Sequence, residues 1–208
     1  MFTSWHESIK EGVIEEMDNT KINLHRISLI DKKNVVEDKK AKSLSFFCQV
    51  SPVLIDENII SELKEVSRLN NNTTVRVCIH TSPDAEQHDM IILIKKSTYC
   101  PPHKHIHCGE TYHMIEGEMG VFSFDDNGNV YDSAFLKKSN LYRVAKGGYH
   151  AVLPISDYVI FHESRKGPFL GDKDSAFPDW SPEKEDIDEV KAFIKHHEAM
   201  LNINMRES

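Results

Sequence analysis

The chain has 208 residues, of which 39% are hydrophobic and 28% charged, with a net charge of −8 at pH 7. That balance suits one soluble globular domain with an appendage, or two small domains, and the lack of clustered Lys and Arg argues against a non-specific nucleic-acid binder. The opening residues MFTSWHESIKEG lack the features of a signal peptide, and no stretch reaches the roughly 18 apolar residues needed to span a bilayer. A cytoplasmic protein with no membrane partner is therefore expected.

The first 72 residues read as an N-terminal α+β extension. INLHRISLI (22–30) has partly alternating polarity and is a candidate strand. DKKNVVEDKKAKS (31–43) reads as a charged loop, and SLSFFCQVSPVLI (43–55) is apolar and β-prone. The run 56–70 places Ile59, Ile60, Leu63 and Val66 at helical spacing, with Asp56 as the N-cap and Asn70, Asn71 and Asn72 as the break.

Residues 73–166 change character. Strand-like runs recur: TTVRVCIH, DMIILIKK, TYHMIEG, GVFSFDD, VYDSAFL, NLYRVA and DYVIFHES. Turn signals DDNGN (125–129) and KGG (146–148) separate some of them, which predicts a mainly β protein built as an antiparallel sandwich or barrel. Residues 167–208 open with a strap, GPFLGDKDSAFPDWSP, followed by a helix from about Pro182 to Leu201 capped by Ser181. Its apolar stripe is Ile187, Val190, Ile194, His197 and Leu201. Cys48, Cys78, Cys100 and Cys108 form no CxxC pair, so free thiols are expected and a zinc ribbon is not.

The informative segment is PPHKHIHCGETYHMIEGEMG. Residues i and i+2 of a strand share a face, so His103 and His105 point the same way, and Glu110 starts the next run with Tyr112 and Met114 on its face. His150, after KGGY, supplies a third imidazole from a distant strand. Three histidines and a carboxylate suit one divalent transition ion such as zinc, iron, manganese or nickel, and leave coordination positions open. His107 is a rival ligand if the strand continues. Placed instead in the turn before Glu110, it is exposed or supports a ligand. His113 has the opposite parity and should face outward. Cys100 and Cys108 flank the site as bystanders. Arg76, His80, His88 and Tyr142 are candidate substrate-binding residues, able to meet a phosphate or carboxylate, with exposed strand-edge residues as the alternative.

The spacing His103-x-His105-x4-Glu110-x6-Gly117 resembles the first cupin motif, and Gly147 with His150 resembles part of the second. Ala145, Pro154 and Ser97 depart from those motifs at turn positions, not at ligands. Across roughly residues 73–186 the chain resembles WbuC-type cupin metalloproteins of bacterial surface-polysaccharide settings. The resemblance implies a cupin barrel (a double-stranded β-helix, or jelly roll), to which the residues themselves add the N-terminal α+β extension and the C-terminal helix. It further implies a metal at the four positions, a link to sugar metabolism and a homodimer. The function expected is a metal-dependent isomerase, epimerase or dioxygenase on a small polar metabolite, with Tyr112 moving the proton. A non-catalytic ligand-binding module with a structural metal is the alternative, and a purely structural barrel the third reading.

Overall fold

Period-two alternation becomes a two-faced sheet whose faces bury different cores. The computed structural model describes residues 26–207. In chain order the elements are β1 (Val35–Glu37), β2 (Leu44–Cys48), α1 (Glu57–Leu69), β3 (Val75–Cys78), β4 (Gln87–Lys95), β5 (Lys104–His105), β6 (Glu110–Glu116), β7 (Met119–Phe124), β8 (Val130–Leu136), β9 (Leu141–Val144), β10 (Tyr149–Pro154), β11 (Tyr158–Lys166), β12 (Ser175–Ala176) and α2 (Ile187–Glu207).

The large sheet has the order β1-β2-β3-β4-β11-β6-β9 and the small one β10-β7-β8. β5 pairs with β12 and is tied to the start of β10 by the His103–His150 bridge. The antiparallel pairs therefore nest as β4 with β11, β5 with β10, β6 with β9 and β7 with β8. Successive strands from β4 to β11 are one folded-over ribbon wound into a double-stranded β-helix, the jelly roll.

Side-chain parity divides the core into three. Val75, Val77, Ile91, Leu93 and Ile160 face α1, where Ile59, Leu63 and Val66 cover them. The opposite face of the same strands, including Met90, Ile92, Met114 and Phe161, meets Met119 and Val121 of the small sheet inside the barrel. The outer face of the small sheet, with Phe122, Phe124 and Leu153, is covered by Phe193, Ile194 and Leu201 of α2 and by Trp180. The result is a helix–sheet–sheet–helix sandwich.

Helix α1 starts as its sequence requires: the Asp56 carboxylate accepts from the backbone amides of Asn58 at 3.0 Å and Ile59 at 3.2 Å. It ends where Asn71 and Asn72 take left-handed conformations, φ 57° and 58°. The β6–β7 hairpin turns at Gly117, φ +81°, where an added Cβ would run into the Tyr158 carbonyl. The DDNGN turn closes through Asp125, whose side chain accepts from the Asn129 amide at 2.8 Å.

Three expectations are corrected. The charged run 31–43 contains a strand, β1, because its Val35–Val36 pair adds an edge to β2. The run 22–30 is not a strand where it is described. Ser28 bridges Lys33, and the Glu62 carboxylate takes the amides of Leu29 and Ile30, so Ile27 and Leu29 are buried without a ladder; Ile22 to His25 lie outside the described residues. Helix α2 begins at Ile187, not Pro182. Tyr99 donates to the Pro182 carbonyl at 3.1 Å and holds that stretch against the barrel, while Asp186 accepts from the Glu189 amide at 3.0 Å and acts as the cap. Ile187 is 62% exposed, so the packed stripe starts a turn later than its periodicity suggests.

Candidate metal centre

The centre is built where the two sheets meet at one end of the barrel. His103 and His150 exchange both backbone hydrogen bonds, at 3.0 and 2.9 Å, which sets their rings 4.6 Å apart. His105, two residues along, brings its ring within 5.0 Å of that of His103. Glu110 opens β6 on the facing sheet, in register with Val144 and Arg165. The four side chains each offer one ligand atom, and these atoms lie within 4.8 Å of one another.

Neighbouring carbonyls decide which ring nitrogens are available. The Nδ1–H of His103 donates to Pro101 O at 2.9 Å, and that of His150 to Gly148 O at 3.0 Å. A carbonyl can only accept, so in the neutral ring each proton sits on Nδ1 and each Nε2 is the atom free to act as a ligand. His150 Nε2 is buried with no hydrogen-bond partner, yet lies 2.6 Å from Glu110 Oε1. Two electron-rich atoms at that distance share either a proton or a cation, and a transition ion held by imidazoles and a carboxylate is one way to meet that need.

His105 is oriented from behind. Its Nδ1 lies 3.2 Å from Asp174 Oδ2 and its Nε2 2.9 Å from Glu110 Oε2. Asp174 comes from the strap, brought in by β12 pairing with β5, and Arg165 of β11 donates to its carboxylate. A carboxylate behind a histidine fixes the tautomer and ring angle that ligation needs.

The electrostatics of the metal-free site differ from ligand to ligand. Burial, assisted by the neighbouring His150, pushes His103 down to about 4, so it is neutral at physiological pH. Burial alone would also lower His105, but its bonds to Asp174 and Glu110 outweigh that and raise it to about 9 in the metal-free site. Burial opposes ionisation of Glu110; the close approach of His105 and His150 nonetheless holds it well below the usual carboxylate range. Tyr112 is buried, donates to Glu110 Oε1, and is pushed well above the usual phenol value by burial and by that carboxylate.

His107 lies exposed in the turn before Glu110, and His113 is exposed on the outer face. The four candidate substrate residues do not converge in one group. His80 and His88 stack with ring centroids 4.1 Å apart, with His80 Nδ1 at Asp89 O and His88 Nε2 at Pro83 O. Tyr142 donates to Asp132 at 2.6 Å. Arg76 faces the barrel interior, its Nε buried without a partner.

Three residues were missed by reading the sequence. Glu163 and Arg165 share the inward parity of Phe161 in DYVIFHESRK, so extending the alternation through that run finds them. Asp174 carries no such signal, because only the path of the strap brings it to His105.

The strand order alone gives a double-stranded β-helix barrel. The family DUF6016, a domain of unknown function, matches residues 55–136. No curated protein matches the chain. Among solved structures, CapF with the inhibitor 3-isopropenyl-tropolone is similar at 14% identity and TM-score 0.43, over 51% of this chain and 31% of CapF. L-ribose isomerase from Cellulomonas parahominis is similar at 16% identity and TM-score 0.42, over 50% of this chain and 69% of the isomerase. Oxalate decarboxylase from Lactobacillus farciminis is similar at 18% identity and TM-score 0.36, over 40% of this chain and 25% of the decarboxylase. The matched part of the chain spans 31% of CapF and 25% of the decarboxylase. None of these likenesses assigns a role to a residue. No helix among the described residues is long and apolar enough to cross a membrane.

Proposed function

We propose that this cupin is a metal-dependent enzyme acting on a small polar metabolite, with His103, His105, Glu110 and His150 holding one divalent transition ion. The observation that carries the reading is the 2.6 Å approach of Glu110 Oε1 to the unpartnered His150 Nε2. A bound ion supplies Lewis-acid polarisation of a substrate oxygen. The chain's own groups do the rest. Glu110 and the three imidazoles present their ligand atoms toward one point between the sheets. Tyr112 orients Glu110 and holds a proton at its hydroxyl, beside the reacting region. Asp174 and Arg165 keep the His105 ring in place. The resemblance of residues 73–186 to WbuC-type proteins supports a sugar or sugar-nucleotide substrate.

Elemental analysis of the purified protein tests the centre. About one divalent ion per chain is expected, lost in His105→Ala and in His150→Ala. Metal-free wild-type protein, or unchanged metal in both variants, would sink the reading. Catalysis is tested by incubating metal-loaded and chelated protein with a pool of polar metabolites. Consumption only by the loaded form is expected, and identical pools would reduce the protein to a binding module.

A further inference from the structure

Inside the barrel, away from the four ligands, two ionisable side chains stand without partners. Arg76 of β3 and Glu163 of β11 both lie on the inner face of the large sheet: Arg76 is in register with Ile92, and Glu163 with Met90 and Tyr112. Neither forms a hydrogen bond or ion pair with another described residue, and Arg76 Nε is fully shielded from solvent. They sense each other's charge but are not joined by a salt bridge.

Their surroundings make this unusual. Met90, Ile92, Tyr112, Met114 and Phe161 on the same face are sealed, whereas Glu163 and Arg76 stay half-buried. An ionisable pair is therefore set in an apolar wall, and burial raises the Glu163 carboxyl to about 7. A guanidinium and a carboxyl group in such a wall are costly unless something pairs with them. Nothing in the fold needs them there, since β3 and β11 pair through their backbones.

The register also sets the spacing. Glu163 lies level with Tyr112, two residues and so roughly 7 Å along the sheet from Glu110. Arg76 lies level with Met114, two residues further on. Metal ligands, carboxyl group and guanidinium thus form a graded line along the inner face.

We infer that Arg76 and Glu163 form the specificity end of the site, which takes a short hydroxy acid of the sugar-acid type. The inference rests on the metal centre proposed above and names its substrate class. The substrate carboxylate pairs with the Arg76 guanidinium, whose planar fork matches it. A substrate hydroxyl donates to Glu163. The far end of the carbon chain extends toward Glu110 and Tyr112.

The test is calorimetric titration of metal-loaded full-length protein with gluconate, glycerate, propionate and glycerol. Gluconate or glycerate should bind and neutral glycerol should not. Arg76→Gln should weaken carboxylate binding by roughly tenfold or more, and Arg76→Lys, which keeps the charge but loses the planar fork, should recover only part of it. Glu163→Gln should weaken glycerate but leave propionate, which has no hydroxyl, unchanged. Metal content should be the same in all variants. Absence of carboxylate binding up to about 10 mM, equal binding of glycerol, or binding indifferent to Arg76→Gln would overturn the inference. If the wild-type protein holds no metal, the metal reading fails separately, and the Arg76 comparison is still read on the metal-free chain.

Discussion

Asp174 meets the candidate metal centre at His105 Nδ1, 3.2 Å away, and also accepts from Arg165. Removing its charge while keeping its shape weakens both contacts behind His105. Asp174→Asn is expected to lower metal affinity about 10- to 100-fold, with the fold intact, in competition with a chromophoric chelator. Affinity equal to wild type would mean that the strand geometry alone orients the ring. The four ligands themselves were legible in the sequence, because strand parity and short spacing constrain His103, His105 and Glu110. Asp174 was not. Its distance from His105 along the chain is 69 residues (174 − 105), and no local periodicity spans the strap between them.

At the level of elements, helix α1 shows how a sequence signal survives folding. Its Asp56 cap and apolar stripe are realised together, and Leu63 is completely buried against Val75, Val77 and Leu93. Leu63→Ala should cost about 2–5 kcal/mol, because it removes transfer energy and leaves a cavity the sheet cannot collapse into. The shift in urea midpoint at constant m-value measures it. A cost well below 1 kcal/mol would mean the helix is only loosely docked. Helix α2 shows the reverse. Ser181 and Pro182 carry good start signals, but tertiary bonds take that stretch first. Tyr99 claims the Pro182 carbonyl, and Trp180 donates to Asp126 O at 3.1 Å. Local preference worth about 1 kcal/mol yields to such contacts.

For the whole molecule, an ion held by the four residues would join the two sheets, since Glu110 lies on one and His103, His105 and His150 lie on strands tied to the other. Chelation should therefore lower the global melting temperature, not merely loosen a loop. The effect should depend on pH with a definite sign. In the metal-free protein His105 is raised to about 9, so its proton's contribution to stability is full below its unfolded value of roughly 6.5 and is lost as pH rises toward 9. Ligation needs the lone pair which that proton occupies, so apparent metal affinity rises over the same range. The melting-temperature gap between loaded and chelated protein should widen from pH 6.5 to pH 9, as read by calorimetry. A constant gap would place His105 outside the coordination sphere.

Sequence alone determined the centre of this protein: a mainly β chain, a capped helix before it, and three imidazoles and a carboxylate at strand spacing. These are properties of period, parity and turn chemistry, which act over a few residues. Tertiary structure decided the remainder. It nested the strands so that Glu110 faces the histidines across two sheets, and it brought Asp174 behind His105. It also set Glu163 and Arg76 on one inner wall, from strands far apart in the chain. Those placements depend on which strands pair, and pairing is settled by burial of the whole sheet, not by any short stretch of residues.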